Sequence, residues 1–220
     1  MTFEDFFEKY RSDEGLGERQ YTDVPLDMVQ DLRDRGLNAR TVFQLWLEDA
    51  DDYGKPEVVS GEEIDRLVKG GATQIFRGMP DTKRHTGEEK LNQVLYESKY
   101  FSGEGVYGDG LYFAVNIDVA GTYASSSPGA SGSVMRAVLK PGIKSISYDD
   151  AHAAFRKEHP DLFATNGDIS AWARSKGYDA ITVDHPANGR YYNIINRGAI
   201  VMSGKLGKAK GGKNGGTISF

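Results

Sequence analysis

The sequence predicts an α+β fold, a mixed and mostly antiparallel sheet fronted by an N-terminal helical layer. Three observations predict it. Apolar residues repeat at helical spacing through the first 70 positions, and strand-like runs outnumber helical ones from residue 72 onward. Strands and helices in that later part also lack the regular alternation that builds a parallel sheet.

Taken in order, residues 1–71 read as helices. Phe3, Phe6, Phe7 and Tyr10 repeat at helical spacing, and Val42, Phe43, Leu45, Trp46 and Leu47 form a second apolar cluster. Thr2 and Asp23 fit helix starts, while Gly36 and Gly54 fit breaks. A third helix, EEIDRLVKG, follows Ser60, which with Glu63 makes a capping box, and it stops at Gly70-Gly71. No long linker precedes Ala72, so this layer is expected to wall one side of a site in the core. The core spans 72–203. ATQIFRGMP reads as a buried strand closed by Pro80, GEEKLNQVLYES as a helix, and YFSGEGVYGDGLYFA as a glycine-rich loop running into a short strand. NIDVAGTYA reads as a helix capped by Asn116, SSSPGASGS as a loop, and VMRAVLKP as a strand with alternating faces. DISAWARSKG reads as a helix ended by Gly177, YDAITVD as a strand, and RYYNIINRGAIVM as one long strand or two short ones. The basic tail, 204–220, has too little apolar content to fold alone and is expected to stay mobile unless a partner orders it.

Composition narrows the function. With 220 residues, 39% of them hydrophobic and 27% charged, the chain can bury a real core in one domain, with room for a small appendage. It contains no cysteine, which excludes a disulfide framework, a thiolate nucleophile and a cysteine-bound zinc. His85, His152, His159 and His185 show no metal-ligand spacing. The first residues, MTFEDFFEKYRSDEG, place acids where a secretory signal carries bases, and no apolar run approaches the length that crosses a bilayer. Net charge is −5, yet Lys205, Lys208, Lys210 and Lys213 all lie in the tail, leaving −9 on the rest. An acidic body argues against a dedicated nucleic-acid binder, except through the tail itself.

The most informative stretch is GVYGDGLYFAVNIDVAGTYA, residues 105–124. Gly105, Gly108 and Gly110 let the backbone turn tightly and let a planar ligand approach it, just before the aromatics Tyr112 and Phe113. A glycine-rich hairpin with its aromatics in the core is the alternative. The run is not a Rossmann fingerprint, because it ends in a strand where that motif opens a helix, and no Gly-Lys-Ser/Thr follows to make a P-loop.

GDGLYFA followed by a short helix ending in Tyr resembles the GxGxYFA segment of poly(ADP-ribose) polymerases and related ADP-ribosyltransferases. That resemblance implies a split sheet around an NAD cleft. Tyr112 and Tyr123, eleven residues apart, would sandwich the nicotinamide ring, with Phe113 beside them in the cofactor site. Ala120 stands where the family has a small hydroxyl residue. IFRGM, residues 75–79, is similar to the family's first core strand: Gly78 would offer its backbone to the carboxamide, and Arg77 would support the phosphates or the site's architecture. Ser102 matches the serine that helps align the site in the arginine-bearing branch, or is a turn serine bonding its own backbone.

RYYNIINRGAIVM, residues 190–202, resembles the last core strand, but Tyr191 occupies the position of the catalytic Glu, and no glutamate follows Glu158. Alternation would send Tyr191 into the pocket, Tyr192 to the other face and Asn193 back inward. Asp179 and Asp184 are the nearest acids, read as capping strand and helix ends or, for Asp184, as a substitute at the pocket mouth. The Arg-Gly, YGxGxYFA and YYxxxNRGA strings resemble ADP-ribosyltransferase-like domains of tailed-phage head and accessory proteins, which act on, or are delivered to, bacterial host proteins. The resemblance therefore implies a mono-ADP-ribosyltransferase with NAD as substrate and a protein acceptor or virion partner, located in a host cytoplasm or a virion. Two alternatives stay open: a degenerate domain that binds NAD or a partner without chemistry, and an RNA-directed NAD-dependent 2′-phosphotransferase, which Arg190 and Arg197 suggest and the acidic body opposes.

Overall fold

A computed structural model describes residues 56–81, 86–92, 106–108, 110–125, 131–160, 166–210 and 217–220. The expected helices within residues 1–55, and Ser102 and Gly105, lie outside these described residues.

The described chain is α+β. Strand β1 (Glu57–Val59) leads into helix α1 (Gly61–Lys69), then β2 (Gln74–Pro80), α2 (Gly87–Asn92), β3 (Leu111–Ala114) and α3 (Ile117–Ala124). There follow β4 (Ser131–Leu139), β5 (Ser145–Ser147), α4 (Tyr148–Glu158), α5 (Asn166–Ser175), β6 (Ala180–His185) and β7 (Gly189–Ile194). A 3₁₀ turn (Arg197–Ala199), β8 (Ile200–Ser203), β9 (Gly207–Lys210) and β10 (Thr217–Ser219) complete it. Local chemistry sets several boundaries. The Ser60 hydroxyl accepts the Glu63 amide at 3.2 Å and starts α1, and the Asn116 carboxamide oxygen accepts the Asp118 amide at 2.9 Å and starts α3. Glu63 does not complete the expected capping box; its carboxylate takes two bonds from Arg66, at 2.8 and 2.5 Å.

All ten described strands join one sheet, in the order β1-β8-β4-β2-β3-β7-β6-β5, with β9 also on β4 and β10 on β9. Only β1–β8 and β5–β6 pair in parallel, so the sheet is mixed and mostly antiparallel. One face carries the main core: Ile75 and Met79 of β2, Leu111 and Phe113 of β3, Met135 and Ala137 of β4, and Ile194 of β7. The other face carries helices. On it α3 covers Phe76 and Val134, α1 covers Val138 and Val201, and α4 with α5 covers Ile181.

Two expectations about boundaries are corrected. The sheet begins before residue 72, since β1 pairs with β8 and Ile64 of α1 is fully buried against Val138 and Val201. The tail expected to be mobile also contributes strands: β8 covers only Ala137–Leu139 on one edge of β4, and β9 continues along the same edge over Ser131–Val134. The cause is tertiary. An uncovered edge of a buried strand leaves unpaired amides and carbonyls, and the nearest chain is the tail.

Candidate binding cleft

The cleft arises where β2 leaves β3. Strand β2 pairs with β4 along its whole length, Gln74 to Pro80, but with β3 only at Phe76 and Ala114. Beyond that point the Tyr112 carbonyl faces an opening in place of a strand, and the Arg77 guanidinium reaches across to donate to it at 3.0 Å. Arg77 shares the core face with Ile75 and Met79 by alternation, so its described contact holds the parted strands at a fixed spacing.

Helix α3 forms one wall, and it lies very close to the sheet. A methyl group built on Gly78 would overlap the Ala120 carbonyl oxygen and come within 2.7 Å of the Ala124 amide nitrogen; one on Gly132 would overlap the Ala124 carbonyl. Two glycines on neighbouring strands thus let the helix backbone settle onto the sheet. This seats Tyr123, in the last turn of α3 and 60% exposed, over the opening.

The opposite wall is the turn at residues 106–108, tied down from several sides. The Tyr112 hydroxyl accepts the Tyr107 amide at 2.9 Å and donates to the Gly108 carbonyl at 2.5 Å. The Asn193 side chain donates to the Tyr107 carbonyl at 3.1 Å, and Asn166 donates to that of Val106 at 2.8 Å. Gly108 has φ +94, and a methyl there would come within 2.7 Å of the Asn166 carbonyl; one on Gly110 would overlap the Asn193 side-chain oxygen. Gly108 and Gly110 of the motif are therefore required by the packing of this turn. The Tyr107 ring meets Tyr148 edge-on at 5.3 Å.

The resulting cleft has a volume of about 510 Å³ and is lined by Arg77, Gly78, Tyr112, Phe113, Ala120, Tyr123 and Tyr191 of the expected site, with Phe76, Val106, Tyr107, Ala114, His185 and Asn188. Register explains the convergence. Tyr191 lies opposite Ala114 and Asn193 opposite Tyr112, all on the helix-bearing face, whereas Tyr192 lies opposite Phe113 and packs on the main core. Burial pushes the Tyr191 phenol above its ordinary range; Tyr123 beside it adds to this, and a hydrogen bond with Asn188 opposes it.

Two expected roles change, and one open alternative closes. Phe113 borders the cleft, but its ring is 1% exposed and belongs to the main core, so it offers a ligand backbone only. Asn193 is also 1% exposed and does not line the cleft, because alternation fixes its face while the turn at 106–108 covers it. Asp184 lies opposite Arg190 and accepts two bonds from it, at 2.7 and 2.8 Å. That pair holds the Asp184 carboxyl below its usual range and, by alternation from Val183 and Tyr191, stands on the face away from the cleft. Asp179 takes the Lys144 amide and the Asn196 side chain, at 2.9 and 2.6 Å, and serves the sheet. Among the described residues that line the cleft, none is a carboxylate.

Tyr107, His185, Asn188 and Gly132 are site elements that the sequence reading missed. A hairpin reading of VDHPANGRYY would have placed His185 opposite Gly189, and so on the face of Tyr191. The two rings meet edge-on at 6.3 Å. Among the described residues no cluster of His, Asp or Glu could hold a metal ion, and no helix is long and apolar enough to cross a membrane. Comparison of the sequence with protein-family models and with curated proteins gives no match.

Proposed function

We propose that this cleft is an NAD site of the ADP-ribosyltransferase kind and that the chain is a mono-ADP-ribosyltransferase of protein side chains. One observation carries the reading: Gly78, Tyr112, Tyr123 and Tyr191, from three separate sequence motifs, line one cleft at the place where the sheet parts. A nicotinamide ring is flat and electron-poor, and phenols on two sides of the opening suit it by offset stacking. In the proposed reaction the bond between nicotinamide and ribose C1′ breaks, nicotinamide leaves, and a nucleophile of the acceptor protein bonds C1′. A head or accessory protein of a tailed phage, delivered to host proteins, is the setting the motifs suggest.

That no carboxylate is among the described residues lining the cleft supports a second reading, a module that binds NAD or a partner and turns over little. Tyr191 is neutral near pH 7 and its ionisation is pushed still higher, so it offers no full negative charge to the developing cation. A phosphotransferase acting on RNA has less support, since Arg190 is engaged by Asp184 on the far face and Arg197 is buried. The test is incubation with NAD, with calorimetry for binding and mass spectrometry for free nicotinamide and modified protein. Products select the transferase; binding without products selects the module; no binding removes the transferase and the NAD-binding form of the module.

A further inference from the structure

Residues 217–220 lie outside every motif of the cleft, yet they pack on its supports. Strand β10 pairs with β9, with Ile218 opposite Ala209, and the Ile218 side chain joins the cluster of Phe76, Ala120, Ala124 and Val134. By register it rises from the helix-bearing face of the sheet, beside Ala209, and meets the flank of α3. A methyl group on Gly121 would stand 2.9 Å from the Ile218 Cδ1 and 3.5 Å from its Cγ1. Phe220 lies 6.4 Å from the Phe76 ring, which lines the cleft, and 5.1 Å from the Arg136 guanidinium. Arg136 is held in turn by Asp65 at 2.5 Å and by the Gly61 carbonyl at 3.1 Å. A methyl group on Gly207 would come within 2.7 Å of the Phe220 ring. Two glycines thus make room for this short segment, as Gly78 and Gly132 make room for α3.

We infer that Ile218 and Phe220 are positioning residues for the cleft, a side clamp that braces the flank of α3 where it lies on the sheet and sets where Tyr123 stands. The physical reason is the thinness of α3. Its buried residues are Ala120, Gly121 and Ala124, which give little side-chain area to hold it on the sheet. Backbone contact at Gly78 and Gly132 fixes its closest approach, and the clamp holds it sideways at Gly121. Phe220 stays 53% exposed, so the clamp rests on few contacts and belongs to the part of the fold that opens first. When it is seated, Tyr123 lines the opening together with Tyr112; when it lifts, Tyr123 loses its fixed place. The effect on ligand affinity rests on the NAD reading above, whereas the effect on α3 does not.

The experiment compares full-length wild type, Gly121→Ala, Ile218→Val and Gly121→Ala/Ile218→Val, reading amide hydrogen exchange in α3 and NAD affinity by calorimetry. Helix propensity alone favours alanine at a helix-interior glycine and would slow exchange in α3. The clamp requires the opposite sign: the added methyl displaces Ile218, exchange quickens, and NAD affinity falls about three- to tenfold, the worth of one stacked ring. Ile218→Val removes only the Cδ1 that collides, so the double variant should regain wild-type exchange and affinity. Slower exchange in Gly121→Ala, or a loss that valine does not restore, overturns the inference. If wild type binds no NAD, the function proposed above fails, and the exchange pattern still decides the clamp. Should Gly121→Ala not fold, Phe220→Ala replaces it, with faster exchange in α3 expected and unchanged exchange contradicting the clamp.

Discussion

At Gly78 the space beside the α-carbon is filled by the backbone of α3, and this constrains the residue more tightly than ligand contact alone. Gly78→Ala should force the helix off the sheet and cost at least about 1–3 kcal/mol, the usual range for overpacking. Urea unfolding should show a lower midpoint with an unchanged slope. An alanine variant as stable as wild type would mean that α3 docks elsewhere. Tyr191 is constrained differently, by charge. On the proposed reading its side chain takes the place of a catalytic carboxylate, so Tyr191→Glu should speed nicotinamide release and Tyr191→Phe should leave it slow. Equal rates in all three proteins would place the reacting centre away from β7. Arginine and tyrosine also divide the labour at Tyr112, whose carbonyl is held by Arg77 and whose hydroxyl holds the turn at 106–108. The ring can then stay fixed in an opening that has no strand behind it.

The element on which the site depends most is α3, and its weakest point is the start. Asn116→Ala removes the cap and should cost about 0.5–2 kcal/mol, with a fall in NAD affinity as Tyr123 loosens. A thermal melt and a titration on the same sample check both. The signals that made α3 legible in the sequence are local: a capping Asn, a run of small residues, a strand just before it. EEIDRLVKG, IFRGM and DISAWARSKG are legible for the same reason. YDDAHAAFRKE is a helix that local pattern did not reveal, because Ala151 and Phe155 are its buried residues and its other apolar positions are two alanines and Tyr148 at its start. Strands β1 and β5 have three residues each, too few to show a period. The tail strands carry almost no apolar alternation; the open edge of β4 orders them, and no window of sequence contains that edge. The site divides along the same line. Tyr112, Tyr123, Gly78 and Arg77 were found through motifs, whereas Tyr107, His185 and Gly132 depend on sheet register. Asn193 was misplaced because alternation gives the face of a residue and not its depth.

Across the whole molecule, the cleft is braced from both ends of the described chain. Strand β1 and α1 bury Ile64 against β4 and β8, and Asp65 neutralises the largely buried Arg136. A fragment starting near residue 72 should therefore fail to fold stably, and limited proteolysis should not release one with intact NAD affinity. Stability should also bend at both ends of the pH scale. The Trp172 indole and Lys176 hold the Glu158 carboxyl below its ordinary value of 4.5, so its contribution is present above that value and is lost as pH falls through the lowered one. Burial raises the phenols of Tyr148 and Tyr191 above 10.0, so the unfolded chain ionises first and stability declines as pH rises past that value. Denaturant midpoints from pH 3 to 11 check the two signs. The central claim, that the parted sheet makes an NAD site between Tyr112 and Tyr123, is tested most directly by calorimetric titration of wild type and of the double variant Tyr112→Ala/Tyr123→Ala with NAD. Two stacked rings contribute on the order of 1–3 kcal/mol together, so the double variant should bind about five- to 150-fold more weakly than wild type. Equal binding by the two proteins, or no binding by wild type, would contradict it.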